Sequence, residues 1–349
     1  MLPVLEAVPN FSSGRDRALL ERLVWVATEW GAEVLDASSD PDHDRSVLTL
    51  VGPPAAVEDA SVALAKVAVE AIDLKAHRGV HPRIGALDVL PFVPLSGLTM
   101  EEARISARRV GERLVREIGV PVYFYAQASD PPGRGLAELR RGGFEALVAE
   151  FPKGRTPDLL PEGWNRPGVH PTAGAVCVGA RPLLLAWNVG VVGLEKEELE
   201  GVARGLRESQ GGISGLRALA LMLESQSRMQ ISMNLEDVSG RRAFEVFTTV
   251  EARVAERGGR VTETEVIGLI PDQLLWDAGS DRLSLRESLP ERSLSHGLAR
   301  HVSGRAAREA ERLAATLEVA ADEVPPAVRE AAARLIHALS GGHVIGEVR

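Results

Sequence analysis

Leu183-Leu-Leu-Ala-Trp-Asn-Val-Gly-Val191 reads as a strand, and the segments after it decide the fold. Residues 195–207 fit a helix, 216–223 and 230–234 two strands, 242–257 a helix closed by Gly258-Gly259, and 261–270 a last strand. The order is β-α-β-β-α-β. The first half nearly repeats it. A strand at 3–8 leads to a helix over 17–30 closed by Gly31, strands at 33–37 and 46–51, an Ala/Val-rich helix ending near Asp73, and a strand at 89–93. Pro91 in that strand predicts an edge or a bulge, because proline offers no ladder N–H. Thr99-Met-Glu-Glu102 is a capping-box signature; it opens one extra helix that runs to Ile118 and stops at Gly119, before a strand over 120–125. Two such split units predict an α/β (α+β) fold of two ferredoxin-like βαββαβ subdomains side by side, over residues 1–178 and 179–302. Helices would cover one face of each sheet, and the opposite faces would line a cleft. From Ser303 the composition turns to Ala, Arg and Glu in two helical runs split by Val324-Pro-Pro326, predicting a helical extension over 303–349.

Bulk composition narrows the function classes. With 349 residues, 45% of them apolar, and a mean hydropathy of −0.01, the chain can bury two cores. A formal charge of −9 argues against nucleic acid as a main partner, since phosphate binding needs a basic field. The start Met1-Leu-Pro-Val-Leu-Glu6 has no basic region followed by an apolar core, and no apolar run is long enough to span a bilayer; a cytoplasmic protein without a membrane partner is expected. The single cysteine, Cys177, stands in the apolar run Ala175-Val-Cys-Val178 and reads as a buried strand residue.

Chemistry concentrates in one stretch, Asp73-Leu-Lys-Ala-His77-Arg-Gly-Val-His81-Pro-Arg83-Ile-Gly85-Ala-Leu-Asp88. Gly79 and Gly85 permit close backbone approach, Pro82 stiffens the chain beside His81, and imidazole titrates nearest to neutral pH. A second polar loop, Asp40-Pro-Asp42-His-Asp44, alternates carboxylates as a calcium loop does. The sixth and twelfth positions of an EF-hand fall on Arg45 and Val51, however, so that reading fails and no metal is expected. There is no Walker loop, no G-x-G-x-x-G after a strand, and no G-x-S-x-G. If both loops faced one cleft, imidazole with Arg45, Lys75, Arg78 and Arg83 would suit an anionic small molecule and one proton transfer.

An ordered series of motifs gives the stretch a family. Val8-Pro-Asn-Phe-Ser12, His77 to Asp88 with Pro91-Phe-Val-Pro94, Pro121-Val-Tyr-Phe-Tyr125, Gly179-Ala-Arg181 leading to Asn188, Asn234-Leu-Glu-Asp237 and Gly268-Leu-Ile-Pro271 resemble the glutamate formimidoyltransferases, including the formiminotransferase domain found fused to a cyclodeaminase. The match runs to about residue 300, and the tail is too short to be a cyclodeaminase.

The resemblance implies a ligand tunnel between two subdomains, a homodimer, and transfer of a formimidoyl group from N-formimidoyl-L-glutamate to N5 of tetrahydrofolate in histidine degradation. Tetrahydrofolate is then a co-substrate. The family's catalytic histidine falls on His81. Its folate-binding segment falls on Asn165, Arg166, Pro167, Gly168, Val169, His170, Pro171, Thr172, Ala173 and Gly174, with a further contact near Gly215. Arg83, Arg45 and Asn10 are the expected contacts to substrate carboxylate or amidine, because arginine pairs with carboxylates bidentately. Ser38, Asp44 and Val80 depart from the residues usual in the family at those places. They leave open a related formyl or formimidoyl amino acid as donor, or a catalytically weakened folate-binding paralogue.

Overall fold

Proline at position 9 cuts the first strand in two, and the larger sheet is built around the cut. The structure, a computed structural model, describes residues 3–150, 155–165, 168–223, 228–236, 238, 243–283, 308, 312–316 and 325–339. Strands β1 (Leu5–Ala7) and β2 (Asn10–Phe11) lie together between β4 (Arg45–Gly52) and β5 (Leu87–Pro94), antiparallel to both. β3 (Glu33–Asp40) forms the edge beside β4. On the other side β5 continues into two parallel neighbours, β7 (Val176–Ala180) and then β6 (Val122–Ala126).

The Pro91 expectation needs correcting, since β5 is interior to the sheet. What accommodates Pro91 is the interruption in the neighbouring strand. Pairing of β1 ends at Ala7 opposite Phe92 and resumes in β2 at Asn10 opposite Val89, and across the gap Val8 donates its N–H to the Pro91 carbonyl at 3.2 Å. No ladder N–H is asked of Pro91 where the partner strand is broken.

Helix α1 (Arg17–Glu29) starts where the Asp16 carboxylate accepts from the Leu19 N–H at 2.9 Å, and it buries Leu19, Leu23, Val26 and Ala27 along one stripe. Its partner α2 (Pro54–Ala71) opens with Pro54, whose missing N–H costs nothing in a first turn. α3 (Met100–Arg113) has the expected capping box. Thr99 Oγ1 accepts from Glu102 N, Glu102 Oε2 accepts from Thr99 N at 2.7 Å, and the helical run ends at Gly119 with φ 78°. These helices pack on the sheet face that carries Leu5, Phe11, Leu48, Leu50 and Leu87, forming one core. Each fully buried side chain of this kind contributes on the order of 2 kcal/mol.

Between β6 and β7 the Pro- and Gly-rich segment carries two short helices, α4 (Leu136–Leu139) and α5 (Gly143–Glu150). Cys177 is buried in β7, as its apolar neighbours imply, and burial pushes its thiol pKa up. The pairing of β7 runs through Ala180, so the expected boundary after Val178 falls inside a strand of the larger sheet.

The second sheet consists of β8 (Leu185–Val192), β9 (Leu216–Leu223), β10 (Arg228–Leu235) and β11 (Arg260–Val266), in the spatial order β11-β8-β10-β9 and antiparallel throughout. Helices α6 (Lys196–Leu206) and α7 (Ala243–Ala255) interleave with them in sequence. The order fourth, first, third, second is also that of β5, β1/β2, β4 and β3 in the larger sheet. The last strand ends at Val266, four residues short of the expected Ile270, before Gly268 at φ 73°.

Residues 4–271 form one compact unit holding both sheets; residues 1–3 and 272–349 form another. In the latter the described residues include α8 (Asp272–Leu283), helical residues 312–316 and α9 (Pro326–Leu339), the last beginning at the Pro-Pro break read from sequence. Most of residues 303–324, the first expected run of the tail, lie outside the described residues.

Backbone crowding makes the two glycine types separable. A Cβ on Gly85 would stand 2.2 Å from the Ala175 carbonyl oxygen and 2.5 Å from that of Leu87, whereas one on Gly119 would meet nothing within 4 Å. Gly85→Ala is expected to lose about 3 kcal/mol, and Gly119→Ala about 1 kcal/mol from its positive φ alone. Urea denaturation of the two variants checks the order, and a Gly119 variant less stable than the Gly85 variant would refute the crowding effect.

Candidate active site

The stretch around His81 is held by the loop between β3 and β4. Val80 donates its N–H to the Asp42 carbonyl at 3.1 Å, and a Cβ on Gly79 would lie 2.1 Å from the His43 carbonyl oxygen, so the two loops touch backbone to backbone. His77 is buried beneath them and its Nε2–H donates to the Asp44 carbonyl at 2.9 Å. The loop carboxylates serve backbone amides. Asp40 Oδ1 accepts from Asp42 N and His43 N, each at 2.8 Å, and Asp44 accepts from Gly14 N at 2.9 Å and Arg78 N at 3.3 Å. Asp44, at φ 48°, therefore locks the turn that carries His43 and Arg45.

His81 donates its Nδ1–H to the Pro82 carbonyl at 2.8 Å, which leaves Nε2 with a free lone pair. Its ring lies 5.7 Å from that of His43, tilted by 32°. Burial holds the His81 pKa well below its ordinary value, and the cations Arg45 and Arg140 push it the same way against the pull of Asp88. At neutral pH the imidazole is an unprotonated base.

Asp88 organises these cations. It is 0% exposed and accepts from Ile84 N at 2.8 Å, from Arg45 Nη1 at 2.9 Å and from Arg140 Nη2. Burial alone would raise its pKa, but Arg140 and Arg45 together hold it at about 2. Burial, then repulsion from Arg140, brings Arg45 down to about 10, still fully charged at pH 7. Two guanidiniums and one carboxylate leave a net positive charge beside a neutral imidazole.

The sequence-named contacts separate on this frame. Arg45 donates through Nε at 3.1 Å and Nη2 at 2.8 Å to Asn10 Oδ1, and Asn10 is itself anchored by donating to the Val8 carbonyl at 2.6 Å. Asn10 and Arg45 thus hold each other close to His81. Arg83 turns elsewhere. Its two terminal nitrogens grip Glu145 of α5 at 2.8 and 2.7 Å, and its guanidinium lies 6.0 Å from the Phe144 ring.

The 165–174 segment is braced against the same stretch. Gly168 accepts from Trp164 Nε1 at 2.9 Å, Val169 is buried, and His170 and Gly174 exchange both backbone hydrogen bonds at 3.0 and 2.9 Å. His170 Nδ1 accepts from Ala173 N at 3.0 Å, while Leu74 N and Ala86 N donate to the carbonyls of Thr172 and Ala173 at 2.9 Å each. Asn165 and Pro171 are exposed; Arg166 and Pro167 lie outside the described residues. Gly215 lies beside the other sheet, in the turn just before β9, where its carbonyl accepts from Glu236 N at 2.8 Å.

A cavity of about 290 Å³ joins the sheets, lined by Asp40 of β3 and by Asn188, Arg228, Gln230, Glu263 and Glu265 of the second sheet. Gln230, 1% exposed, crosses to the first sheet, where its Nε2 donates to His43 Nε2 at 2.9 Å. Asp88 stood in a motif read from sequence. The loop that carries His43 was singled out in sequence, but nothing in the local pattern marks Arg140 as a neighbour of His81 or Gln230 as the partner of His43, since each arrives only through tertiary packing.

Two family models match the chain. Residues 4–181 match the N-terminal subdomain of the formiminotransferase domain, and residues 186–288 match the formiminotransferase domain. The chain is 36% identical over 289 residues to a glutamate formimidoyltransferase of Streptococcus pyogenes serotype M1, covering 82% of this chain and 95% of that one. It is 38% identical over 292 residues to the Thermoplasma acidophilum protein of the same name, covering 81% and 93%. Against the formimidoyltransferase-cyclodeaminase of Mus musculus it is 33% identical over 289 residues, covering 80% of this chain and 52% of that one. Two matched models that together take in both sheets, and two glutamate formimidoyltransferases aligned over nearly their whole length, place this chain in the formiminotransferase family.

Proposed function

We propose that the chain transfers a formimidoyl group from N-formimidoyl-L-glutamate to N5 of tetrahydrofolate, giving 5-formimidoyltetrahydrofolate and L-glutamate, in histidine degradation. The observation that carries this reading is His81, a neutral imidazole with its Nδ1–H fixed and its Nε2 free beside two guanidiniums. As N5 bonds to the amidine carbon, its proton becomes acidic and passes to His81 Nε2. The imidazolium then protonates the glutamate nitrogen as that carbon–nitrogen bond breaks. Proton count is unchanged over the cycle. General base catalysis contributes on the order of a hundredfold to ten-thousandfold, so holding two substrates together supplies much of the rest.

Arg45, oriented by Asn10 and Asp88, is the cation placed to meet a substrate carboxylate. Arg83 acts in this reading through its fork with Glu145, as a brace for the turn before His81. The folate-binding turn is 165–174, with Gly215 contributing from beside the second sheet. The repeated strand order supports two ferredoxin-like subdomains, at 1–178 and 179–302 with the boundary moved to the end of β7, and a tunnel between them to which the joining cavity belongs. A cytoplasmic homodimer without metal completes the reading.

His81→Ala is expected to lower turnover by about a thousandfold while leaving folate binding measurable by calorimetry. Undiminished turnover would remove His81 from this role. A panel of formimidoylglutamate, formylglutamate and formimidoylglycine, each with tetrahydrofolate, tests the donor; turnover with one of the latter two alone would redirect the specificity, and binding without turnover would leave a folate-binding paralogue.

The pH dependence has a defined sign. A base whose pKa is lowered stays active as pH falls through the ordinary histidine range. The acid limb of kcat/KM is therefore expected below pH 6.5, and a limb centred above that value would contradict a desolvated His81 as the base.

A further inference from the structure

Among the residues around His81, one takes no part in the proton transfer or in holding the cations. His43 is 7% exposed, its ring packs 5.7 Å from that of His81, and its Nε2 receives the Gln230 side-chain N–H at 2.9 Å. With Nε2 accepting, its own proton sits on Nδ1, so His43 cannot take a second proton at Nε2 without breaking the link to the other sheet. Its backbone is fixed as well, through Asp40 Oδ1 on its N–H and the close approach of Gly79 to its carbonyl.

We infer that His43 is a positioning residue for His81, and that Gln230 of the second sheet makes the catalytic imidazole's orientation depend on the two sheets being docked together. The inference rests on His81 as the proton carrier. His81 is tied through one nitrogen to a carbonyl of the very next residue, a bond that moves with the ring's own loop and fixes little by itself. The His43 ring, tilted by 32° at 5.7 Å, supplies the lateral neighbour, and His43 is in turn held from the opposite sheet. Charged groups surround both rings: Arg45, Arg140 and Asp88 face His81, while Asp40, Asp42, Arg45 and Glu265 face His43. A neutral ring between these sets fills the space that water would otherwise enter beside the base.

Two substitutions cut the same link from opposite ends. His43→Phe keeps a ring and loses the acceptor; Gln230→Met keeps the volume and loses the donor. Each is expected to lower kcat about tenfold to a hundredfold with KM for both substrates unchanged, as a misplaced catalytic group does. The double variant should be no slower than His43→Phe alone, because one interaction is removed in all three. In ¹⁵N-histidine NMR spectra of the unliganded protein, His81 should be the Nδ1–H tautomer in the wild type and a mixture in both variants. The inference is overturned if the two losses multiply, if KM rises while kcat holds, or if the His81 resonances are the same in all forms. The NMR reading needs no turnover. A protein inactive with every donor would therefore count against the proposed reaction while the link between His43, His81 and Gln230 is still decided. Should His43→Phe fail to fold, Gln230→Met alone retains both readings.

Discussion

A carboxylate with no exposure to water, flanked by two guanidiniums, is the constraint on which the site depends. Asp88 fixes Arg45 on one side and Arg140 on the other and caps the Ile84 amide behind the His81 turn. Residues from β4, β5 and the segment after α4 are thus drawn to one point. Holding the Asp88 carboxyl at about 2 instead of 3.8 corresponds to about 2 kcal/mol at neutral pH. The stabilisation is present above the unfolded pKa and disappears as pH falls towards the folded one. That figure is already net of the desolvation of Asp88 itself; against it stands the desolvation of the two guanidiniums, and burying ion pairs often costs as much as pairing returns. The cluster is therefore better understood as setting geometry and charge than as holding the fold together.

The apolar core can do the latter without it. Leu5, Leu23, Leu48, Leu50 and Leu64 are all fully buried on the helix-covered side of the larger sheet. Polar chemistry falls to the loops and to strand residues of opposite pleat. On β10 the alternation separates Ile231 and Met233, which are buried apolar residues, from Gln230, which reaches His43. One strand thus serves a core and a site at the same time.

That alternation also explains what could be read from sequence and what could not. Helix starts were legible because Thr99 and Glu102 satisfy each other locally, and the succession of strands and helices in the second half was legible because each element carries its own period and its own stop signals. The parallel strands β6 and β7 were legible as strands, but their order beside β5 was not, since 49 residues, 127–175, separate them and the described part of that stretch is mainly turns and short helices. Pro91 misleads for a related reason: its tolerance depends on a break in a strand far earlier in the chain, at residues 8–9. In the site, His81 and Asp88 sit in one motif. Arg83, equally prominent there, faces α5, and the cation that does meet Asp88 beside Arg45 is Arg140, whose surrounding sequence carries no signal.

On the proposed reaction, with His81 as the proton carrier, two requirements on that imidazole pull in opposite directions, and the cluster reconciles them. The two carboxylates of such a donor call for cations beside the site, yet cations depress the pKa of the base and so weaken it. Removing Arg45 and Arg140 would strengthen the base and lose the anion site; removing Asp88 would leave two unpaired guanidiniums and weaken the base further. With one carboxylate between two guanidiniums the local excess is a single positive charge. A weak base suffices for this chemistry, because the proton on N5 becomes strongly acidic once the new carbon–nitrogen bond gives that nitrogen a positive charge. The conjugate acid of a weak base is correspondingly strong, which favours the second half of the cycle, delivery of the proton to the departing glutamate nitrogen. The depressed pKa therefore shifts effort from the step that needs little help to the one that needs more.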